Sequence, residues 1–169
     1  YYYGENNNIT QLSTQKLPSV PAGYAFDFAN ASVILNALSV RNGLISTTGG
    51  QDYRILVLDS SARFMTLPVL RKIGELVDAG MKVAGTRPER SPSLADDPAA
   101  FAALRDKIWG NARVSARPVS EVLSSITPKD VEITGEKAKI LYVHRRTDDA
   151  DIYWLDNRSE SPNEAQVSF

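Results

Sequence analysis

The spacing of apolar residues changes several times along the chain, and each change marks an element. Tyr1 to Tyr3 form an aromatic run of strand character that stops at Gly4-Glu5. Asn6 to Asn8 read as a polar loop, Ile9 to Thr14 as a short helix, and Leu17 to Gly23 as a Pro/Gly connector. Tyr24 to Phe28 alternate aromatic with small or acidic residues, which predicts a second strand. Asn30 has the chemistry of an N-cap for a helix from Ala31 to Leu38, with Val33, Ile34 and Leu38 inward. Arg41 to Gly43 and Thr47 to Gly50 are turns around a short strand at Leu44 to Ser46, expected to form a hairpin with the segment after Gly50.

The strongest pattern lies in YRILVLDSSARFMTLPVLRKIGELVDAGMKVAG, Tyr53 to Gly85. Ile55 to Leu58 are continuously apolar, as in a strand covered on both faces. Thr66 is placed to cap the next helix, and Pro68 fits its first turn. Leu70, Ile73 and Val77, with Leu67 and Leu76 beside them, make one apolar stripe, while Arg71, Lys72, Glu75 and Asp78 take the wet face. Gly74 interrupts that helix at a cost of about 1 kcal/mol against Ala, which predicts a close approach to the sheet. Gly80 suits the left-handed position after the helix, and Met81 to Gly85 form the second strand, joined by a right-handed crossover.

Thr86 to Asp96 are a polar loop. Asp97-Pro98 then opens a helix to Trp109, with Phe101, Leu104, Ile108 and Trp109 inward and Gly110 at its end. Arg113 to Ala116 predict a fifth strand, and Val119 to Ile126 a short helix. After Pro128 helices stop. Lys139 to Arg146 and Asp151 to Asn157 read as a hairpin turning at TDDA, and Glu164 to Phe169 as a third antiparallel strand. The expected fold is α/β, a doubly wound, mostly parallel sheet over residues 1–128, followed by a short antiparallel β segment over 129–169 that begins a β-sandwich.

The chain has 169 residues, 43% hydrophobic and 23% charged, with net charge −1. No basic cluster exceeds Arg145-Arg146, so nucleic acid is not an expected partner. No apolar run approaches the roughly 20 residues of a membrane span, and no signal peptide is visible. There is no cysteine, which removes disulfides, thiolate metal sites and a thiol nucleophile. The start at Tyr1 without Met and the end in an alternating strand lead to the expectation of a piece of a longer polypeptide.

The strand–helix unit carries Asp59 to Arg63 where a phosphate-binding loop would need glycines, so nucleotide binding is not expected. No G-x-S-x-G elbow occurs. Asp148, Asp149 and Asp151 lack the glycine and glutamate of a calcium loop and read as a solvated turn. Ligands of doubly wound sheets gather beyond the carboxyl ends of the strands, where Glu5, Asn6, Asp59, Arg87, Glu89 and Arg90 would stand. These residues either bind a polar ligand, or cap helices, pair with one another or face a neighbouring domain. His144, the only histidine, shares a strand face with Tyr142, opposite Val143 and Arg145, and is read as a surface or interface residue or a ligand contact at a domain junction. Tyr153 and Trp154 are either core aromatics or a sugar-stacking platform. The sequons at Asn8, Asn30 and Asn157 are of chance frequency for this composition.

Three segments together resemble a known family: YYYGENNNIT with LPSVPAGYAFDFANA; Tyr53 through Asp97; and YVHRRTDDADIYWLDNRSESP. In that order they are similar to the region after the catalytic barrel of α-L-rhamnosidases of glycoside hydrolase family 106. The resemblance implies a multidomain bacterial enzyme, exported or periplasmic, that cleaves rhamnose from glycans. It further implies an α/β segment like the class I glutamine amidotransferases, of flavodoxin-like type, with an upstream barrel and a downstream β-sandwich as partners. Inverting hydrolysis by two carboxylic acids with a calcium ion is implied for the barrel, about 6.5–9.5 Å separating acid and base. No catalytic residue, cofactor or metal is then expected in residues 1–169. Amidotransferase chemistry needs a cysteine that this chain lacks. The implied role is a non-catalytic accessory domain. Glu5 and His144 are then candidates for lining the junction with the barrel. A carbohydrate-binding module with a weak sugar site on the Tyr153/Trp154 face or the Glu5/Asp59/Arg87 edge is the alternative, and an independent α/β enzyme a third.

Overall fold

A computed structural model of the chain describes residues 1–2, 4–5, 21–135, 140–160, 162 and 164–169. The expected loop at Asn6 to Asn8, the helix at Ile9 to Thr14 and Tyr3 lie outside them, as does most of the Pro/Gly connector. The chain divides into two compact units. One comprises Tyr1–Ser19 with Asp27–Ile126, the other Val20–Phe26 with Thr127–Phe169.

In the first unit, α1 (Ala31–Asn36) starts where Asn30 accepts from the amide of Val33 at 2.9 Å. It ends earlier than its apolar residues suggest. Leu38 opens a strand instead, β1 (Leu38–Arg41), which pairs antiparallel with β2 (Leu44–Thr47), itself paired with β3 (Asp52–Tyr53). The cause is the Asn42-Gly43 turn. Both residues have positive φ, 54° and 76°, the backbone that joins two twisted strands through two residues. The Leu44 strand therefore forms a hairpin on its N-terminal side, with β1, as well as the expected one with β3.

A parallel sheet is the centre of this unit. β4 (Leu56–Leu58), β5 (Val83–Gly85) and β6 (Val114–Ser115) lie in that order, each parallel to the next. Tyr2 bridges Leu58 on one side and Ala29 on the other, both parallel. Its amide donates to the Val57 carbonyl and its carbonyl accepts from Asp59, each at 2.9 Å. The spatial order is thus Ala29, Tyr2, β4, β5, β6. The second strand expected at Tyr24 to Phe28 shrinks to that single bridge at Ala29. A physical reason is that the chain changes unit between Phe26 and Asp27, so the five residues do not share one sheet.

Helices α2 (Leu67–Asp78) and α3 (Pro98–Trp109) connect the parallel strands. In α2 the apolar stripe is buried as its spacing predicts, with Leu70 and Ile73 fully enclosed. In α3 Asp97 caps the amide of Ala99, and Phe101 and Ile108 are buried. Gly74 serves a different neighbour from the one expected. A Cβ there would come within 3.1 Å of Ile108 Cδ1, so the glycine allows α2 to lie close to α3 rather than to the sheet. Gly80, just past α2, takes φ 115°. Tyr2, Leu58, Met65, Leu70, Ile73 and Phe101 are among the residues that form the core.

α4 (Val119–Ile126) closes the first unit. The second unit contains β7 (Glu132–Thr134), β8 (Ile140–Arg146), β9 (Asp151–Asn157) and β10 (Gln166–Ser168). The expected hairpin forms, with Val143 opposite Trp154 and His144 opposite Tyr153. β10 does not extend it. It pairs antiparallel with β7, Val167 facing Ile133. β7 is not among the expected strands, although Val131-Glu132-Ile133-Thr134 alternates and Val131 is buried. Among the described residues no helix is long and apolar enough to cross a membrane.

Candidate functional site

Two places carry the candidate residues, and each belongs to one unit. The first is the carboxyl edge of the parallel sheet, where the chain order reverses between Tyr2 and β4. Glu5 leaves the Tyr2 strand and reaches the start of α2. Its carboxylate accepts from the amide of Thr66 and, at 3.1 Å, from the Thr66 hydroxyl. Thr66 makes no side-chain cap to its own helix, contrary to expectation. The reciprocal half of a capping box comes instead from a residue 61 positions away. Asp96 adds a second anion by accepting from the amide of Leu67 at 2.7 Å and from the Ser91 hydroxyl at 2.6 Å. These bonds hold its carboxyl below the usual Asp range. The positive end of α2, the position at which related sheets bind phosphate, is therefore occupied by two of the protein's own carboxylates.

Asp59, at the end of β4, is similarly committed. It accepts from the amide and hydroxyl of Ser61 at 2.9 and 2.6 Å, closing the turn after the strand. Arg87 pairs with Asp106, which also binds Arg105 at 2.8 Å. Arg105 first and Arg87 second lower the Asp106 carboxyl. Glu89 takes Arg63 in a two-pronged pair at 2.6 and 2.9 Å. The Arg90 guanidinium lies 5.2 Å from the centre of the Phe64 ring. Asn6 lies outside the described residues. The chemistry of this edge is helix capping, turn closure and charge pairing within the unit.

The second place is around His144 on β8. Its Nδ1 lies 2.9 Å from Asp130 and its Nε2 2.7 Å from Asp151 on β9. The ring stacks on Tyr153, centroids 4.2 Å apart and planes within 10°. Arg146 shares Asp151 at 2.7 Å and, ahead of His144, lowers its carboxyl. Tyr142, on the same strand face, has its phenol pushed up to about 12, by burial first and by Asp130 second. Asp130 and Asp151 were not singled out from the sequence as partners of His144. The alternation of β8 showed the shared face, but nothing local linked Asp130 to it. Among the described residues no group of three or more His, Cys, Asp and Glu is placed to hold a metal ion. Tyr153 is packed, whereas Trp154 is 71% exposed on the opposite face of the hairpin.

The chain is 34% identical over 173 residues to a protein of Formosa agariphila named "Putative beta-glucuronidase", covering 99% of this chain and 14% of that one. It superposes on the solved structure of a rhamnosidase from Novosphingobium sp. PP1Y with a TM-score of 0.85 and 27% identity. That match covers 99% of this chain and 17% of the rhamnosidase. The two names give different sugars, and the chain spans less than a fifth of either relative. The model of glycoside hydrolase family 106, described as alpha-L-rhamnosidase, matches residues 1–169. The chain belongs to glycoside hydrolase family 106.

Proposed function

We propose that residues 1–169 are a non-catalytic accessory domain of a larger α-L-rhamnosidase-type glycosidase, supporting a catalytic barrel elsewhere in the polypeptide. The observation that carries this reading is the commitment of Glu5, Asp59 and Asp96. A glycosidase acid and base must face the scissile bond. Here the carboxylates at the ligand-binding edge of the sheet face amides and hydroxyls of their own unit. The strand order Ala29, Tyr2, β4, β5, β6 is 2-1-3-4-5 in chain order, and supports a doubly wound, flavodoxin-like fold of the amidotransferase type. The missing cysteine excludes the amidotransferase reaction. The partners on this reading are the barrel and a β-sandwich of the same polypeptide, and the enzyme is exported.

The test uses the protein at the length its gene encodes, with an aryl α-L-rhamnoside and an aryl β-glucuronide as substrates. Asp59→Asn and Arg87→Gln should leave kcat for the rhamnoside within about threefold of the parent, since truly catalytic carboxylates cost far more. A loss of about a thousandfold in either variant, with an unchanged unfolding temperature, would return the active site to this edge. Preference for the glucuronide would replace the substrate class. A carbohydrate-binding reading rests on Trp154 alone. Its neighbours on that face, Leu141, Val143 and Ile152, supply no hydrogen bonds to a sugar.

A further inference from the structure

Asparagine carries a side-chain amide that the next backbone nitrogen can attack, and glycine is the following residue that hinders the attack least. In this sequence only Asn42 precedes a glycine. Asn42 and Gly43 are exposed, and their positive φ values, 54° and 76°, turn the chain between the paired residues Arg41 and Leu44. The other described asparagines are engaged. Asn30 accepts from the Val33 amide at 2.9 Å, and Asn36 donates to the Ser32 carbonyl at 3.0 Å. Asn111 accepts from the Arg113 amide at 2.9 Å, and Asn157 from the Ser159 amide at 3.0 Å. Among the described residues, neither the side chain of Asn42 nor the amide of Gly43 has a hydrogen-bond partner. A Cβ on Gly43 would meet nothing within 4 Å, so no neighbour shields the peptide from that side.

We propose that Asn42 is a spontaneous modification site, converted through a cyclic imide to aspartate and isoaspartate, and that the isoaspartyl form releases the β1–β2 hairpin. The Gly43 nitrogen, giving up its proton, attacks Asn42 Cγ. The new N–C bond closes the imide, the Cγ–Nδ2 bond breaks, and Nδ2 leaves as ammonia with that proton. Water then opens the ring. Cleavage between Cγ and the Gly43 nitrogen gives aspartate. Cleavage between the backbone carbonyl carbon and that nitrogen leaves the chain running through Cβ and Cγ, as isoaspartate. The two products differ mechanically. Aspartate tolerates the left-handed backbone much as asparagine does, so the turn and its register survive. Isoaspartate lengthens the backbone of a two-residue turn whose twist matches its strands only at its present length. The turn also has a neighbour, because a Cβ on Gly80, just past α2, would stand 3.8 Å from Gly43 Cα. The lengthened chain must press on the end of α2 or unpair Arg41 from Leu44. Leu38 and Ile45, which the hairpin contributes to the core, then lose their fixed register.

The test incubates the protein, at the length its gene encodes, in mildly alkaline buffer, folded and in denaturant, and follows each asparagine by peptide mapping. In the folded protein Asn42 should be lost at least about tenfold faster than Asn36 or Asn111, whose side chains must first give up a hydrogen bond. Both products should accumulate, told apart by an endoproteinase that cuts before aspartate and not before isoaspartate. Exchange of the amides paired between β1 and β2 should quicken in the aged protein enriched in isoaspartate and keep the parent rate in Asn42→Asp. Loss at Asn42 no faster than at Asn36 in the folded protein, with rapid loss in denaturant, means that the turn protects its asparagine and overturns the inference. Isoaspartate that accumulates without changing exchange in β1 and β2 overturns the release of the hairpin. Neither outcome depends on the reaction that the whole polypeptide catalyses.

Discussion

Individual residues in this protein are held by their surroundings more than by their own propensities. Gly85 is the clearest case. It ends β5 with φ 115°, and a Cβ there would lie 2.0 Å from the Leu58 carbonyl oxygen of β4. Gly85→Ala must therefore separate two central parallel strands as well as adopt a left-handed backbone. The expected loss is about 2–4 kcal/mol, read from the denaturant midpoint, and a loss below about 0.5 kcal/mol would show that the strands part easily. Glu5 and Thr66 make the converse point. Each is an ordinary capping residue type, yet the cap forms across 61 positions of sequence and spends a carboxylate that the strand order had made a ligand candidate.

At the scale of elements, close packing and shared charges decide how much each helix and strand is worth. The α2–α3 contact passes through Gly74 and Ile108. Gly74→Ala gains helix propensity and meets only the flexible end of Ile108, so its two effects oppose each other. Gly74→Val has no such balance. We expect it to lower stability by about 1–3 kcal/mol and to be partly rescued by Ile108→Val, which a double-mutant cycle would measure. In the second unit, His144 links β8 to Asp130 and Asp151 while stacking on Tyr153. His144→Phe keeps the stack and removes both hydrogen bonds. Amide exchange of β8 and β9 should then quicken by about tenfold, corresponding to roughly 1.4 kcal/mol. Unchanged exchange would mean that backbone pairing and the Tyr153 stack hold the hairpin unaided.

For the molecule as a whole, the scattered ion pairs predict the shape of its stability against pH. Glu89, Asp96, Asp106 and Asp151 all have folded-state pKa values below the ordinary range, through Arg63, the Leu67 amide, Arg105 and Arg146 respectively as the leading causes. A lowered folded value means that the stabilisation is fully present above the unfolded values of about 3.9–4.3 and is lost as pH falls through the folded ones. On the alkaline side, burial first and Asp27 second raise the Tyr53 phenol to about 12. Its contribution is complete below the unfolded value of about 10 and is lost as pH rises towards 12. Through these groups denaturant midpoints should fall as pH drops below about 5 and as it rises above about 9. An acid limb that begins near pH 6 would point to groups other than these carboxylates.

The family and the mixed α/β class could be read from the sequence because they rest on local patterns. The Asp97-Pro98 cap, the α2 stripe and the hairpin alternation each need only a few neighbouring residues, and each stands in the structure where its spacing puts it. Elements settled by competition between distant partners were not legible in the same way. Tyr24 to Phe28 alternate like a strand but divide between two units, Leu38 leaves its helix to serve the Asn42-Gly43 turn, and β10 finds β7 instead of the hairpin. The site residues show the same division. Sequence placed Glu5, Asp59, Arg87 and His144 at strand ends or on a strand face, because strand polarity and two-residue alternation are local properties. Which groups receive their charges depends on contacts between residues as much as 61 positions apart. Such pairings are selected by the folded packing, which determines which carboxylates are already committed.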